Sequence, residues 1–408
     1  MGRNPKENLL SLYIHIPFCV RKCLYCDFLS GPAGEETISQ YVEALVTEIR
    51  LAGSVYGTGS PDGKIVDSIF FGGGTPTLLS EKQFDHICAA LYTNFLVSDD
   101  AEITTECNPG TASAPKLSAL RKMGINRISF GVQSFLDPEL RALGRIHSGE
   151  EALAALRMAE EAGFTEISSD LMSGIPGQTQ ESLLKSIGIA CESGLTHLSV
   201  YSLIVEPGTP YYARYGEREI IPASSPLSFL PDLPDEDTER RMYYKTRDFL
   251  RERGFCRYEI SNYALPGHEC RHNLGYWTEH PYLGFGIGAA SLVFTEAEPE
   301  GIRFRNTKDL ETYRKAMQSG ALSDIRRERQ TRSIKDAMEE YMFLGLRTAG
   351  GIGEEAFRQR FGKTVRDVYR RIPDRHIAEG LLTEKDGRLF LTDRGIDVSN
   401  SVMADYMF

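Results

Sequence analysis

Along the first half of the chain, six short apolar, β-branched runs recur at a spacing of roughly thirty residues, the size of a βα unit. They cover 10–16, 66–71, 102–105, 127–132, 166–172 and 197–203, with amphipathic helical patterns between them at 41–56, 81–95, 114–123, 150–162 and 180–193. This repeat restricts the fold severely. Strands joined through a helix run parallel, and strands this apolar belong to a sheet covered on its outer face. Six units fall short of the eight that close a TIM barrel. The expected fold is therefore α/β, a partial, open (β/α)6 barrel. In such sheets ligands lie at the carboxyl ends of the strands, and each of those ends carries polar, Gly-rich or Cys-rich sequence.

Beyond residue 203 the rhythm stops. The stretch 216–237 holds Pro222, Pro226, Pro231 and Pro234 among Ser and acidic residues, which reads as a surface loop. The 408 residues suffice for two or three domains, divided as a barrel (1–215), an extension (216–300), a polar linker (301–332) and a small carboxyl-terminal domain (333–408). In that domain, helical patterns at 335–346, 354–361 and 365–379 precede apolar runs at 381–384 and 388–391 around Asp386-Gly387, a two-residue hairpin signal. Three helices and a hairpin resemble a winged helix. Its arginines (Arg358, Arg360, Arg366, Arg370, Arg371) are interspersed with Glu354, Glu355, Asp367, Asp374 and Glu379, as on a salt-bridged docking surface. With 46 basic against 57 acidic residues the net charge is −11, which argues against nucleic-acid binding. No run approaches the ~20 apolar residues of a membrane span, and the amino terminus has no secretory signal. A soluble, cytoplasmic protein is expected.

Three of the eight cysteines cluster as Cys19, Cys23 and Cys26, a C-x3-C-x2-C arrangement immediately after the first strand. Cys88, Cys107, Cys191, Cys256 and Cys270 are scattered, as buried small hydrophobes are. Three thiolates on one loop suit an inorganic cluster whose fourth iron stays open to a ligand. A zinc site completed by His15 is the alternative.

The other strand ends supply the remaining candidates. Gly72-Gly73-Gly74-Thr75 follows the second strand, where glycine lets the backbone approach a ligand. Glu106 follows the third strand, Gln133 and then Arg145 the fourth, and Asp170 terminates the fifth. Singly, each charged residue reads as a solvated loop residue; together, at successive ends of one sheet, they read as a site.

These motifs (HIPFC, GGGTPT, ExNP, RxSxGVQS and the IPGQT turn) resemble the radical S-adenosylmethionine (radical SAM) superfamily. Within it they resemble the branch containing oxygen-independent coproporphyrinogen III dehydrogenase (HemN) and the haem chaperone HemW. The resemblance implies a [4Fe–4S] cluster on Cys19, Cys23 and Cys26 that binds S-adenosylmethionine at its open iron. It implies that Gly73, Gly74 and Thr75 approach the methionine amino group and that Glu106 and Arg145 bind its polar groups. Gln133 and Asp170 would reach the ribose, and Tyr13 and Tyr25 would line the pocket.

Within the branch, three features point to the chaperone side. The dehydrogenase has a further cysteine where Phe28 stands, it carries a long amino-terminal extension where this chain has a short polar lead, and it lacks the HNxxYW motif seen here as His272, Asn273, Tyr276 and Trp277. Imidazole and thiolate are common haem ligands, so His268, Cys270, His272 and His280 are candidates; a buried, hydrogen-bonded corner is the competing account of the same motif. The expectation is a protein that delivers haem to respiratory haemoproteins and takes electrons from a donor, with peripheral membrane association and a homodimer left open. The competing activity is radical decarboxylation of coproporphyrinogen III to protoporphyrinogen IX.

Overall fold

The computed structural model describes residues 8–216 and 225–407; the amino-terminal lead and Pro222 of the expected surface loop lie outside the described residues. The barrel region runs β1 (Leu9–Ile16), α1 (Glu35–Tyr56), β2 (Ile65–Gly73), α2 (Glu81–Asn94), β3 (Leu96–Cys107), α3 (Ala114–Lys122), β4 (Arg127–Gln133), α4 (Asp137–Leu143), α5 (Gly149–Glu161), β5 (Glu166–Ser173), α6 (Gln180–Glu192) and β6 (His197–Ser202). Then come α7 (Glu236–Arg251), β7 (Cys256–Arg257), β8 (Asn262–Ala264), α8 (Arg271–Trp277), β9 (Tyr282–Phe285), β10 (Ala290–Val293), β11 (Ile302–Asn306), α9 (Leu310–Ser319) and β12 (Arg326–Thr331). The strands form one twelve-stranded sheet in the order β12-β11-β10-β9-β1-β2-β3-β4-β5-β6-β8-β7. Its centre, β1 to β6 in chain order, is the expected run of parallel strands.

The period of two along these strands separates two environments. Leu12, Ile14, Ile16, Ile69, Phe71, Ile103, Ile128, Phe130 and Ile167 belong to the main apolar core with the covering helices. The alternate positions are polar and meet one another across the strands: Ser68 Oγ donates to Ser11 Oγ at 2.7 Å, Ser129 Oγ to Asp170 Oδ1 at 3.2 Å, and Gly73 N to Glu106 Oε2 at 3.0 Å. A parallel sheet usually buries apolar residues on both faces; here one face holds polar chemistry.

Residues 301–332 are not a linker. They form β11, α9 and the edge strand β12, paired antiparallel along the sheet. The sequence RRERQT in β12 looks like a tether because five of its six residues are exposed, yet a sheet edge accepts charged side chains while its backbone pairs. The extension also splits, with β9 pairing parallel to β1 and β8 antiparallel to β6.

The carboxyl-terminal domain comprises α10 (Ile334–Leu346), β13 (Ile352–Gly353), α11 (Glu354–Phe361), α12 (Val365–Tyr369), α13 (Ile372–Ala378), β14 (Leu382–Lys385), β15 (Arg388–Leu391), α14 (Asp393–Asp397) and α15 (Ser399–Ala404) around its own apolar core. The hairpin at Asp386-Gly387 is present, with φ +51° and +70° as its two-residue turn requires. The expected helix 365–379 is two helices. Arg370 takes φ +53°, and Pro373, which has no N–H to continue the preceding helix, begins the next. Arg366 bonds to Glu354, Asp374 and Glu384 at 3.0, 3.0 and 2.7 Å, so this arginine is spent within the fold.

Candidate functional site

The loop from β1 to α1 carries Cys19, Cys23 and Cys26, all free thiols and half-buried. Backbone bonds hold it: Cys19 N donates to Gly31 O (3.0 Å), and Leu24 N to Leu143 O at the end of α4 (3.2 Å). Two sulfurs face strand-end side chains. Thr75 Oγ1 donates to Cys19 Sγ at 3.7 Å and Arg145 Nη1 to Cys23 Sγ at 3.5 Å. Burial pushes the Cys26 thiol pKa up. His15 does not join them. Its Nε2–H donates to Leu29 O at 2.9 Å, and Nδ1 accepts from the Tyr13 hydroxyl at 3.0 Å. With both ring nitrogens engaged, His15 has no lone pair for zinc, which counts against the zinc alternative.

The glycine turn lies directly on this loop. Gly74 N donates to Ile16 O at 2.8 Å and Thr75 N to Phe18 O at 2.7 Å. A Cβ on Gly74 would stand 2.5 Å from Phe18 O, so the close approach itself requires glycine. Gly73, at φ +111°, requires it twice over, because a Cβ there would also strike the His15 ring at 2.4 Å.

Beneath the turn, burial combined with the nearby Asp170 carboxylate pushes the Glu106 pKa up to about 8, against the opposing Gly73 N–H. Asp170 is raised too, by burial, against hydrogen bonds from Ser199 and Ser129 and the Arg145 charge. Neither carboxylate has an ion-pair partner within 4 Å among the described residues. Both acids are half-buried and repel each other as like charges, with the Arg145 charge acting on Asp170, and N–H donors of a ligand would relieve that repulsion. Arg145 contributes the reverse complement. Nη2 donates to Gly131 O, while its buried Nε has no partner. Gln133 sits on the β4 bulge at φ +70°, a conformation that costs a non-glycine residue about 1–3 kcal/mol and concentrates at ligand sites. Tyr13, half-buried, stacks against Phe70 with ring centroids 6.3 Å apart, and half-buried Tyr25 packs beside Tyr211 at 6.3 Å. The residues present thus fit a [4Fe–4S] cluster with bound S-adenosylmethionine: thiols on one loop, two half-buried acids with no salt bridge among the described residues, and an unpartnered guanidinium nitrogen at the adjoining strand ends.

The HNxxYW segment folds as α8. Glu102 of β3 accepts from the amides of Arg271 (2.9 Å) and His272 (3.0 Å) and from the Cys270 thiol (3.3 Å). His272 is buried and stacks on Phe70 at 5.2 Å. Its Nδ1–H donates to Ser68 Oγ, and Nε2 accepts from the Tyr276 hydroxyl, each at 2.9 Å. Burial pushes its pKa down to about 3, so the ring is neutral and fully engaged. His280 bonds to Asp67 (3.1 Å) and His268 to Glu166 (2.8 Å). Trp277 lies under the Arg347 guanidinium, 4.5 Å from its ring centroid, and Asn273 is half-buried. In this conformation the motif is the hydrogen-bonded corner, and His272 offers no nitrogen to iron.

Sequence reasoning missed Ser129, which holds Asp170, and Glu102, which caps α8, and it considered His15 only as a zinc ligand where the ring instead orients Tyr13. A signal existed in Ser11-x-Tyr13-x-His15 and in the sequence from Ser168 to Asp170. Polar residues at every second position of otherwise apolar strands mark a concave polar face.

A family model described as the radical SAM superfamily matches residues 13–188, and one described as the HemN C-terminal domain matches residues 333–398. The solved structure of coproporphyrinogen III oxidase (HemN) from Escherichia coli aligns with TM-score 0.82 at 23% identity, over 98% of this chain and 91% of that one. The heme chaperone HemW of Bacillus subtilis is 34% identical over 398 residues, 97% of this chain and 99% of that protein. HemW of Escherichia coli is 36% identical over 395 residues, 97% of each. Identity at this level along nearly the whole of both chains decides the matter: the chain belongs to the haem chaperone HemW family of the radical SAM superfamily.

Proposed function

We propose that this protein is a haem chaperone that holds a [4Fe–4S] cluster on Cys19, Cys23 and Cys26, binds S-adenosylmethionine beside it, and delivers haem to respiratory haemoproteins. The observation that carries the cofactor reading is Arg145, which bonds to the Cys23 sulfur while its charge acts on Asp170, one of two half-buried strand-end acids, Glu106 and Asp170, that repel each other. A cluster held there would supply an electron to the sulfonium. The chain's own residues do the positioning. Glu106 would accept from the ligand's amino group beside Gly73 and Gly74, Arg145 would pair with its carboxylate, Gln133 and Asp170 would bond to the ribose, and Tyr13 and Tyr25 would exclude water. The setting we assign is cytoplasmic; no helix among the described residues is long and apolar enough to cross a membrane.

The chaperone reading is favoured over the dehydrogenase by Phe28, 64% exposed on the thiol loop where the dehydrogenase has a further cysteine. Haem binding through α8 requires His272 to give up Tyr276 or Ser68. The test is anaerobic cluster reconstitution, followed by haem and S-adenosylmethionine titration and by incubation with coproporphyrinogen III, reductant and S-adenosylmethionine. Haem binding without protoporphyrinogen is expected; protoporphyrinogen formed at a catalytic rate would overturn the chaperone role, and failure to take up any cluster would overturn the cofactor reading.

A further inference from the structure

The thiol loop presents a second set of side chains to solvent. Val20, Arg21 and Lys22 lie between the first two cysteines and Phe28 lies two residues beyond the third. Val20 and Phe28 are 56% and 64% exposed, and Arg21 and Lys22 are exposed. Both cations are anchored by their donors: Arg21 Nη2 bonds to Gly144 O at 2.6 Å and Lys22 Nζ to Phe28 O at 3.1 Å. Their stems are fixed while their charges stay at the surface. Arg141, on the last turn of α4 beside Gly144, is also exposed. None of these three cations has a carboxylate within 4 Å among the described residues, and Asp27 is the acidic neighbour in the loop. Other surface arginines, such as Arg303 on Glu340 and Arg358 on Glu355, pair with carboxylates. What marks this face, on a chain of net charge −11, is that its unpaired cations sit with two exposed apolar side chains on the thiol loop itself.

The face is also the part of the surface closest in the chain to the three thiols. Electron tunnelling falls steeply with distance, so a protein that reduces a cluster on this loop must seat against the loop. We propose that Val20, Arg21, Lys22, Phe28 and Arg141 form the docking surface for an acidic one-electron carrier protein. This rests on the cluster reading above. The step transfers one electron: the carrier is oxidised by one, the cluster is reduced by one, and no bond forms or breaks. Redox encounters use small interfaces steered by charge, which matches two apolar contacts ringed by three cations.

The test is anaerobic stopped-flow reduction of the reconstituted full-length protein, with flavodoxin hydroquinone as the acidic protein donor and dithionite as the small-molecule control. The double variant Arg21→Glu/Lys22→Glu should be reduced by flavodoxin at least about tenfold more slowly and should lose the wild-type sensitivity to salt, with the dithionite rate unchanged. Arg141→Glu, which leaves the cysteine loop untouched, should show the same selective slowing, and it carries the test if the double variant takes up less iron. Flavodoxin rates equal to wild type would overturn the proposal, as would equal slowing with both donors. Loss of haem absorbance with unchanged flavodoxin rates would overturn it in favour of a haem-binding face. Wild-type protein that takes up no cluster would overturn the cofactor reading, and this proposal with it.

Discussion

Arg145 joins two parts of the site: Nη1 lies 3.5 Å from the Cys23 sulfur, while Nη2 donates to the Gly131 carbonyl at the end of β4. One guanidinium therefore sets the thiol loop against the strand ends, with its buried Nε still free. Arg145→Lys keeps the charge and loses the fork. We expect iron content close to wild type and S-adenosylmethionine binding weakened about tenfold or more, since hydrogen bonds to charged groups contribute about 1.5–3 kcal/mol. Iron assay and equilibrium binding on the reconstituted protein check both.

Glu106→Gln should separate stability from binding. Removing the like charge that Asp170 opposes relieves the unliganded fold, so its Tm at neutral pH should equal or exceed that of wild type. Binding should weaken, and added S-adenosylmethionine should raise the Tm less than it does in wild type. A variant that is less stable and binds normally would contradict the assigned role.

Glu279 ties the two halves of the molecule together. It follows α8, is buried at φ +54°, and bonds to Arg332 and to Arg360 of α11. Glu279→Gln leaves Arg332 buried with Glu340 at 3.2 Å as its remaining carboxylate. A broken buried pair costs about 3–5 kcal/mol, so the variant should melt lower and exchange amide hydrogens faster in α10 and α11. Hydrogen-exchange mass spectrometry reads this directly.

His272→Ala removes the ring that bonds to Ser68 and Tyr276. Leaving those hydroxyls unpaired should cost about 1–3 kcal/mol, measurable by denaturant melts of the unliganded protein. If the corner is all that His272 provides, haem absorbance per folded molecule stays at the wild-type level. Its loss would show that the ring leaves the corner to bind iron.

Glu48 gives a pH signature. Buried in α1, it accepts from Gly286 N (2.8 Å), Tyr313 Oη (2.6 Å) and Asn306 Nδ2 (2.7 Å), and burial outweighs these donors to raise its pKa to about 7. The unfolded chain loses this proton near the ordinary glutamate pKa of about 4.3. Between those values the folded state binds more protons, so this group's contribution to stability falls as pH rises from about 4.3 to 7 and is level above. Glu48→Gln should remove that slope; the difference between wild-type and variant urea midpoints across the window measures it.

The six-fold βα repeat was legible because a strand of period two and a helix of period 3.6 leave local marks that no distant contact can erase. The hairpin at Asp386-Gly387 was legible for the same reason, since its two positive φ angles select those residues. The edge strand β12 was not. Pairing is a non-local event, and RRERQT carries no apolar side to betray it.

Residue chemistry and spacing alone therefore determined the cysteine triad, the glycine turn and the order of polar groups along the strand ends. Only the tertiary structure could decide how those groups meet: that the Glu106 and Asp170 charges oppose each other, that Arg145 reaches back to Cys23, and that His272 turns inward to Ser68 and Tyr276. The physical reason is burial. It turns carboxylates and an imidazole that water would leave ordinary into groups that demand a partner, and which partner each finds depends on strands far apart in the chain.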